Sequence, residues 1–140
     1  MLVRLVAIVA LMVPQSANVN NYVGRWLLEA PVDEADRGRR LNVVLVEGLL
    51  RVGSGDGHDV SFDLSGRSAA WEGPGYKASS TAGFKDGVLV TERLVKYDGG
   101  LVRLVREQWS VKDGKLHVIS TATANGQPTP PVERVYRKER

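Results

Sequence analysis

The sequence contains no cysteine. That absence excludes disulfides, thiolate metal sites, a cysteine nucleophile and the lipid-bearing cysteine of a bacterial lipoprotein anchor, so stability must come from a packed core and a hydrogen-bond ladder. Histidine is nearly as scarce, with only His58 and His117. An excess of one charge is lacking too: 19 Lys and Arg against 16 Asp and Glu leave a formal charge of +3, which favours solubility and offers little to attract a nucleic acid. After residue 17 no stretch sustains apolar residues at helical spacing, which argues against a helical fold. No Gly-x-Ser-x-Gly elbow occurs either, so the presence of Ser, His and Asp as residue types does not amount to a hydrolytic triad.

What is present begins with an apolar leader. Residues 1–13 carry one early positive charge, Arg4, within an otherwise apolar run, and Pro14, Gln15, Ser16 and Ala17 follow. The run is too short for an ordinary membrane span, and Pro14 stops a helix ahead of small residues that a peptidase accepts. Residues 1–17 therefore read as a secretory signal peptide and residues 18–140 as one mature domain, secreted or periplasmic, with no membrane span of its own.

The mature region reads as short strands separated by turns. Residues 22–29 form the first strand, with Gly24 and Trp26 on one face because side chains alternate along a strand. Residues 31–40 crowd Asp33, Glu34, Asp36, Arg37, Arg39 and Arg40 together and read as an exposed loop, in which the three arginines form at most a small basic patch. Residues 41–46 and 49–52 flank Glu47-Gly48 as a hairpin, and residues 58–64 alternate Val60, Phe62 and Leu64 with polar neighbours. After an irregular stretch holding Trp71, strands over 76–84, 88–97, 101–111, 115–124 and 132–138 are separated by Asp-Gly, Gly-Gly and Asn-Gly turns. Such pairs supply the positive backbone angles that tight hairpins require, so the expected fold is all-β: an antiparallel up-and-down meander of about eight to ten strands closing into a barrel. A flattened sandwich is the other arrangement of these strands.

Gly24-Arg25-Trp26 on the first strand, the serial Asp-Gly hairpins and the closing segment Gly114-Lys115-Leu116-His117-Val118 through Pro131-Val132-Glu133-Arg134-Val135-Tyr136-Arg137-Lys138 resemble the calycins. The likeness is to small exported bacterial lipocalin-like domains, and it spans most of the mature region in architecture. The chain departs from typical lipocalins in its shortness, in lacking cysteine and in showing no terminal helix. The resemblance implies that the first-strand tryptophan closes the barrel bottom beneath an arginine of the last strand. Arg134 is the expected partner of Trp26, since Val132, Arg134 and Tyr136 share a face, and Arg137 is the alternative. A guanidinium over an indole contributes about 0.5 to 2 kcal/mol.

Barrels of this size either fill their interior with side chains or hold one small ligand. The strand over 88–97 mixes polar and apolar residues on both faces, with Val88, Val90, Glu92 and Leu94 on one and Leu89, Thr91, Arg93 and Val95 on the other. Such an interior need not be dry and fully packed. The expected function is non-catalytic binding of a small apolar or amphipathic ligand in a cavity lined by Trp71, Tyr76, Trp109 and Tyr136. The alternatives are a filled barrel serving as an interaction or structural module, and a small hydrolase or isomerase working at the mouth. Glu92 and Glu107 could pair across their hairpin, although surface pairing with Arg93, Arg103 or Arg106 accounts for them more simply. The Gly55-Asp56-Gly57-His58-Asp59 turn has oxygen ligands but neither tandem copies nor EF-hand spacing, so neither a metal nor a cofactor is expected.

Overall fold

The computed structural model describes residues 18–54 and 59–140. The leader, residues 1–17, and the turn containing His58, residues 55–58, lie outside the described residues. The strands are β1 (Gly24–Leu28), β2 (Arg40–Val46), β3 (Leu49–Gly53), β4 (Val60–Asp63), β5 (Ala69–Gly73), β6 (Tyr76–Lys85), β7 (Val88–Tyr97), β8 (Val102–Lys112), β9 (Lys115–Ala124), β10 (Gln127–Pro128) and β11 (Val132–Lys138). Two single 3-10 turns, Val19–Tyr22 and Glu34–Asp36, are the helical elements among the described residues.

Neighbouring strands pair antiparallel in the order β4-β3-β2-β1-β11-β9-β8-β7-β6-β5, with the short β10 beside β9. The sheet curls until β4 lies against β6. There Ser80 donates its hydroxyl to the Ser61 carbonyl at 2.7 Å, and this side-chain bond takes the place of a ladder along the seam. The expected meander is therefore a nearly closed barrel. Its two-residue turns are the ones the sequence marks: at Asp113-Gly114 and Asn125-Gly126, for example, both central residues have positive φ, 53° and 75° in one and 48° and 83° in the other. That geometry matches the strand twist and is tolerated by Asp, Asn and Gly.

Strand alternation sorts the side chains. On β7 the inward set is Leu89, Thr91, Arg93 and Val95, opposite Trp109, Glu107, Val105 and Arg103 of β8. Glu92 faces Arg106 on the outside, where the two form an ion pair at 2.7 Å. Glu92 and Glu107 thus lie on opposite faces of the sheet, and a carboxylate pair between them does not form. His117 pairs with Ser110 and Val135 on the outer face, between the buried Leu116 and Val118.

One half of the barrel is solid. Trp26, Leu41, Val43, Leu50, Phe62, Leu89, Trp109, Leu116, Val118 and Tyr136 pack together there, and Trp26 is 1% exposed. Residues before β1 plug this end. This segment coils into the Val19–Tyr22 turn, capped by the Asn18 side chain accepting from the Asn20 amide. Tyr22, expected as the first strand residue, instead points into the core, donates to the Trp109 carbonyl at 3.0 Å and packs against Phe84. Its own carbonyl accepts the Trp26 indole N–H at 2.9 Å, which satisfies the one polar atom of that ring.

The cation over Trp26 is Lys138, not Arg134. Lys138 is the register partner of Trp26, and its Nζ stands 5.4 Å from the ring centroid. Arg134 shares the inward face as expected but sits opposite Val118, four residues nearer the other end of the barrel. Strand rise of about 3.3 Å per residue puts that position about 13 Å from Lys138, beyond useful reach of the indole. Arg137, the alternative, is on the outer face and exposed.

Candidate functional site

The opposite half of the barrel is not filled. A cavity of about 490 Å³ opens between the start of β6, the end of β7, the start of β8 and the segment joining β1 to β2. Trp71, Tyr76 and Tyr97 stand at its rim, with Tyr76 and Tyr97 rings 6.4 Å apart and tilted. Ala78, Val95 and Val105 supply apolar wall, and Ser120 lies deeper. Hollows of similar volume beside Leu45 and Leu64, and over Gly83, Val90 and Gln108, lie on the outer surface and are more open to solvent.

The cavity is rich in charge. Arg39, Arg93, Arg103 and Arg134 line it together with Asp59 and Glu107. Arg134 donates from Nε to Asp36 at 2.8 Å, and Arg39 reaches the same carboxylate at 3.5 Å. Asp36 is 1% exposed, because the Glu34–Asp36 turn folds the joining segment inward over the barrel end. Burial pushes the Asp36 carboxyl up. The hydrogen bonds from Arg134 and the Val32 amide, with the charges of Arg134 and Arg39, outweigh burial and hold it below the ordinary aspartate value. The same pairing, against the cost of burial, holds the Arg134 guanidinium firmly protonated. Elsewhere in that segment Arg37 pairs with Glu34 and Arg40 with Glu139 at the surface, and Asp33 caps the Asp36 amide, so no basic patch of Arg37, Arg39 and Arg40 forms.

Glu107 is half-buried in the cavity wall. It accepts the Trp109 indole N–H at 3.3 Å. Burial dominates and pushes its carboxyl above the ordinary glutamate value, against the opposing pull of Arg93, the hydrogen bonds from Trp109 and Ser120, and the charge of Arg134. Arg93 carries the complementary anomaly: its Nε is buried and meets no hydrogen-bond acceptor among the described residues.

Of the four aromatics expected to line a cavity, Trp71 and Tyr76 do so. Trp109 and Tyr136 are 2% exposed and belong to the packed half, where they form a floor. Each touches the site at one remove, Trp109 through Glu107 and Tyr136 through Arg39, whose hydrogen bond opposes a rise in the phenol pKa that burial causes. Gly24 and Trp26 lie at the closed end, and Arg134 moves from the closure to the site. The charged and aromatic site residues that sequence reasoning passed over are Arg39, Asp59, Arg93, Tyr97, Arg103 and Glu107. The available signal was the placement of Arg93 on a face with Leu89 and Val95, since an arginine among apolar inward residues implies a polar interior.

No protein-family model matches the chain, and neither does any curated protein sequence. Solved structures do match it in fold. An abundant heat soluble (SAHS) protein of Ramazzottius varieornatus superposes with a TM-score of 0.56 at 12% identity, over 85% of this chain and 96% of the other. Apo lipid binding protein 8 of Caenorhabditis elegans gives 0.59 at 14% identity, over 87% and 98%. The zebrafish ileal bile acid-binding protein, complexed with cholic acid, gives 0.54 at 17% identity, over 85% and 99%. At these identities the likeness is one of fold alone, that of an antiparallel, nearly closed β-barrel.

Proposed function

We propose that this protein is a non-catalytic carrier of a small amphipathic ligand that bears an acidic group. The observation that carries the reading is the division of the barrel into a packed floor and an open upper chamber of about 490 Å³ lined by aromatic residues and four arginines. That volume falls within the range of about 300 to 1,000 Å³ usual for small-molecule sites. Apolar ligand surface would lie against Trp71, Tyr76, Tyr97, Val95 and Val105, contributing roughly 25 cal/mol per Å² removed from water. An acidic headgroup would be drawn by guanidinium groups in a low-dielectric chamber, where charge-assisted hydrogen bonds are strong. Two of the fold neighbours, by their descriptions a lipid binding protein and a bile acid-binding protein, support the ligand class. A filled barrel used only as an interaction module leaves the chamber without a role.

Delipidated protein titrated calorimetrically with decanoate and with decanol tests the reading. Saturable binding of decanoate at one site, tighter than decanol, is expected. Failure to bind either, together with no retained small molecule in native mass spectrometry of freshly purified protein, would overturn it. We propose further that residues 1–17 are an export signal, on the strength of their sequence; recovery of the natural protein with Met1 retained would refute this.

A further inference from the structure

The four cavity arginines are not equivalent. Arg134 and Arg39 share Asp36, and Arg103 is exposed at the rim. Among the described residues, Arg93 alone of the four has a buried N–H that no acceptor reaches, a group left unsatisfied after being stripped of water. Its place is diagonal to Glu107: Arg93 is opposite Val105, and Thr91 is opposite Glu107, on the shared inner face of β7 and β8. Diagonal neighbours on paired strands are within reach of long side chains, yet among the described residues no ion pair joins these two.

We propose that Arg93 is the seat of the ligand's acid group and that Glu107 competes with it, so that seating the anion makes Glu107 take up a proton from solvent and couples loading to acidification and release to alkalinisation. This rests on the acidic-ligand reading above. The physical reason is that two carboxylates beside one guanidinium repel each other in a medium that screens poorly, so one of the two is driven to its neutral form. Neutral Glu107 also gains an O–H with which to donate to the bound anion. Glu107 already lies in an environment that disfavours its charge, since burial raises it despite Arg93, Trp109, Ser120 and Arg134. The other groups turned toward it differ in kind. Arg134 of β11 is held protonated, burial raises the Tyr136 phenol away from neutrality, Asp36 is held ionised, Arg39 before β2 reaches the Asp36 carboxylate, Asp59 is exposed, and Tyr76 and Tyr97 stand at the rim. Glu107 is the one among them that the structure prepares to change charge.

Proton linkage fixes the sign. Above the ligand's own carboxyl pKa, and between the values of Glu107 in the free and loaded protein, the association constant falls by up to about tenfold per pH unit as pH rises. Calorimetry of the full mature protein with decanoate, from about pH 5 to pH 9 in buffers of different ionisation enthalpy, reads the coupling directly as up to about one proton taken up per ligand. Glu107→Gln, neutral at every pH, is expected to bind decanoate without that slope and without proton uptake. Arg93→Gln is expected to lose the preference for decanoate over decanol, with circular dichroism verifying its fold. A slope that persists in Glu107→Gln, or an unchanged preference in Arg93→Gln, overturns the proposal. Wild type that binds decanoate with a flat pH profile and no proton uptake refutes the coupling and leaves the carrier function standing. Wild type that binds no decanoate refutes both.

Discussion

Lys138 covers the Trp26 ring, its Nζ 5.4 Å from the ring centroid, and it reaches that position across Gly24. A Cβ built on Gly24 would stand 2.7 Å from Lys138 Cε. Gly24 also has φ of 142°, which side-chain-bearing residues rarely adopt. The glycine and the tryptophan two residues on thus form one device with the last strand, joining the chain's first and last strands at the closed end of the barrel.

Replacing Trp26 by Ala should destabilise the protein by about 3 to 5 kcal/mol, because removing a buried indole leaves a void among side chains already packed. Lys138→Ala should cost only about 0.5 to 1 kcal/mol, as the ammonium is exposed. Gly24→Ala should fall between them, at about 1 to 3 kcal/mol of backbone strain and displaced lysine. Urea unfolding of the three variants ranks them, and a Lys138→Ala cost equal to that of Trp26→Ala would disprove the packing account.

Asp36→Asn should remove a charge that two arginines share and leave Arg134 without its anion, at about 1 to 3 kcal/mol near neutrality. The pH dependence follows from the direction of its shift. Its folded value is lowered, so its stabilisation is present above the unfolded aspartate value of about 3.9 and is lost as pH falls through the lower folded value. Denaturant midpoints of wild type and Asp36→Asn are expected to differ at pH 7 and converge in strong acid.

Glu107 should act in the opposite sense. Its folded value is raised, so its neutral form is at no disadvantage below the unfolded glutamate value of about 4.3, and stability is lost as pH rises through the folded value. Thermal midpoints of ligand-free wild type should therefore decline relative to Glu107→Gln across that interval and then run parallel. Curves parallel throughout would show that Glu107 ionises as freely in the barrel as in water.

At the rim, a Cβ on Gly73 would lie 2.6 to 2.8 Å from two ring carbons and the hydroxyl of Tyr76. Gly73→Ala should push that ring toward Tyr97 and narrow the mouth, with decanoate affinity reduced by about 1 kcal/mol, roughly fivefold. Because Trp71 lines the chamber while Trp26 is buried in the floor and Trp109 meets the site only through Glu107, most of a ligand-induced change in tryptophan fluorescence should be lost in Trp71→Phe. An undiminished change in that variant would place the ligand away from Trp71.

Much of the architecture was legible in local patterns, since turn chemistry and period-two alternation act over a few residues. Asp-Gly and Asn-Gly pairs mark the hairpins, and alternation assigns Arg134 and Tyr136 to one face and Leu89, Thr91, Arg93 and Val95 to another, all as the structure has them. What alternation leaves open is height along the barrel axis. Face depends on the parity of a residue number, but height depends on the register between strands far apart in sequence, and β1 meets β11 so that Trp26 faces Lys138. That one offset moves Arg134 from the floor to the chamber and turns a closure residue into a site residue. Asp36 shows the same limit: in a run of charges it reads as solvated, and only the folding of its loop over the barrel end brings it against Arg134, 98 positions away. Which ring plugs the barrel and which lines the chamber is likewise a matter of depth, so Trp71 and Trp109, alike as residues, part company when the sheet closes.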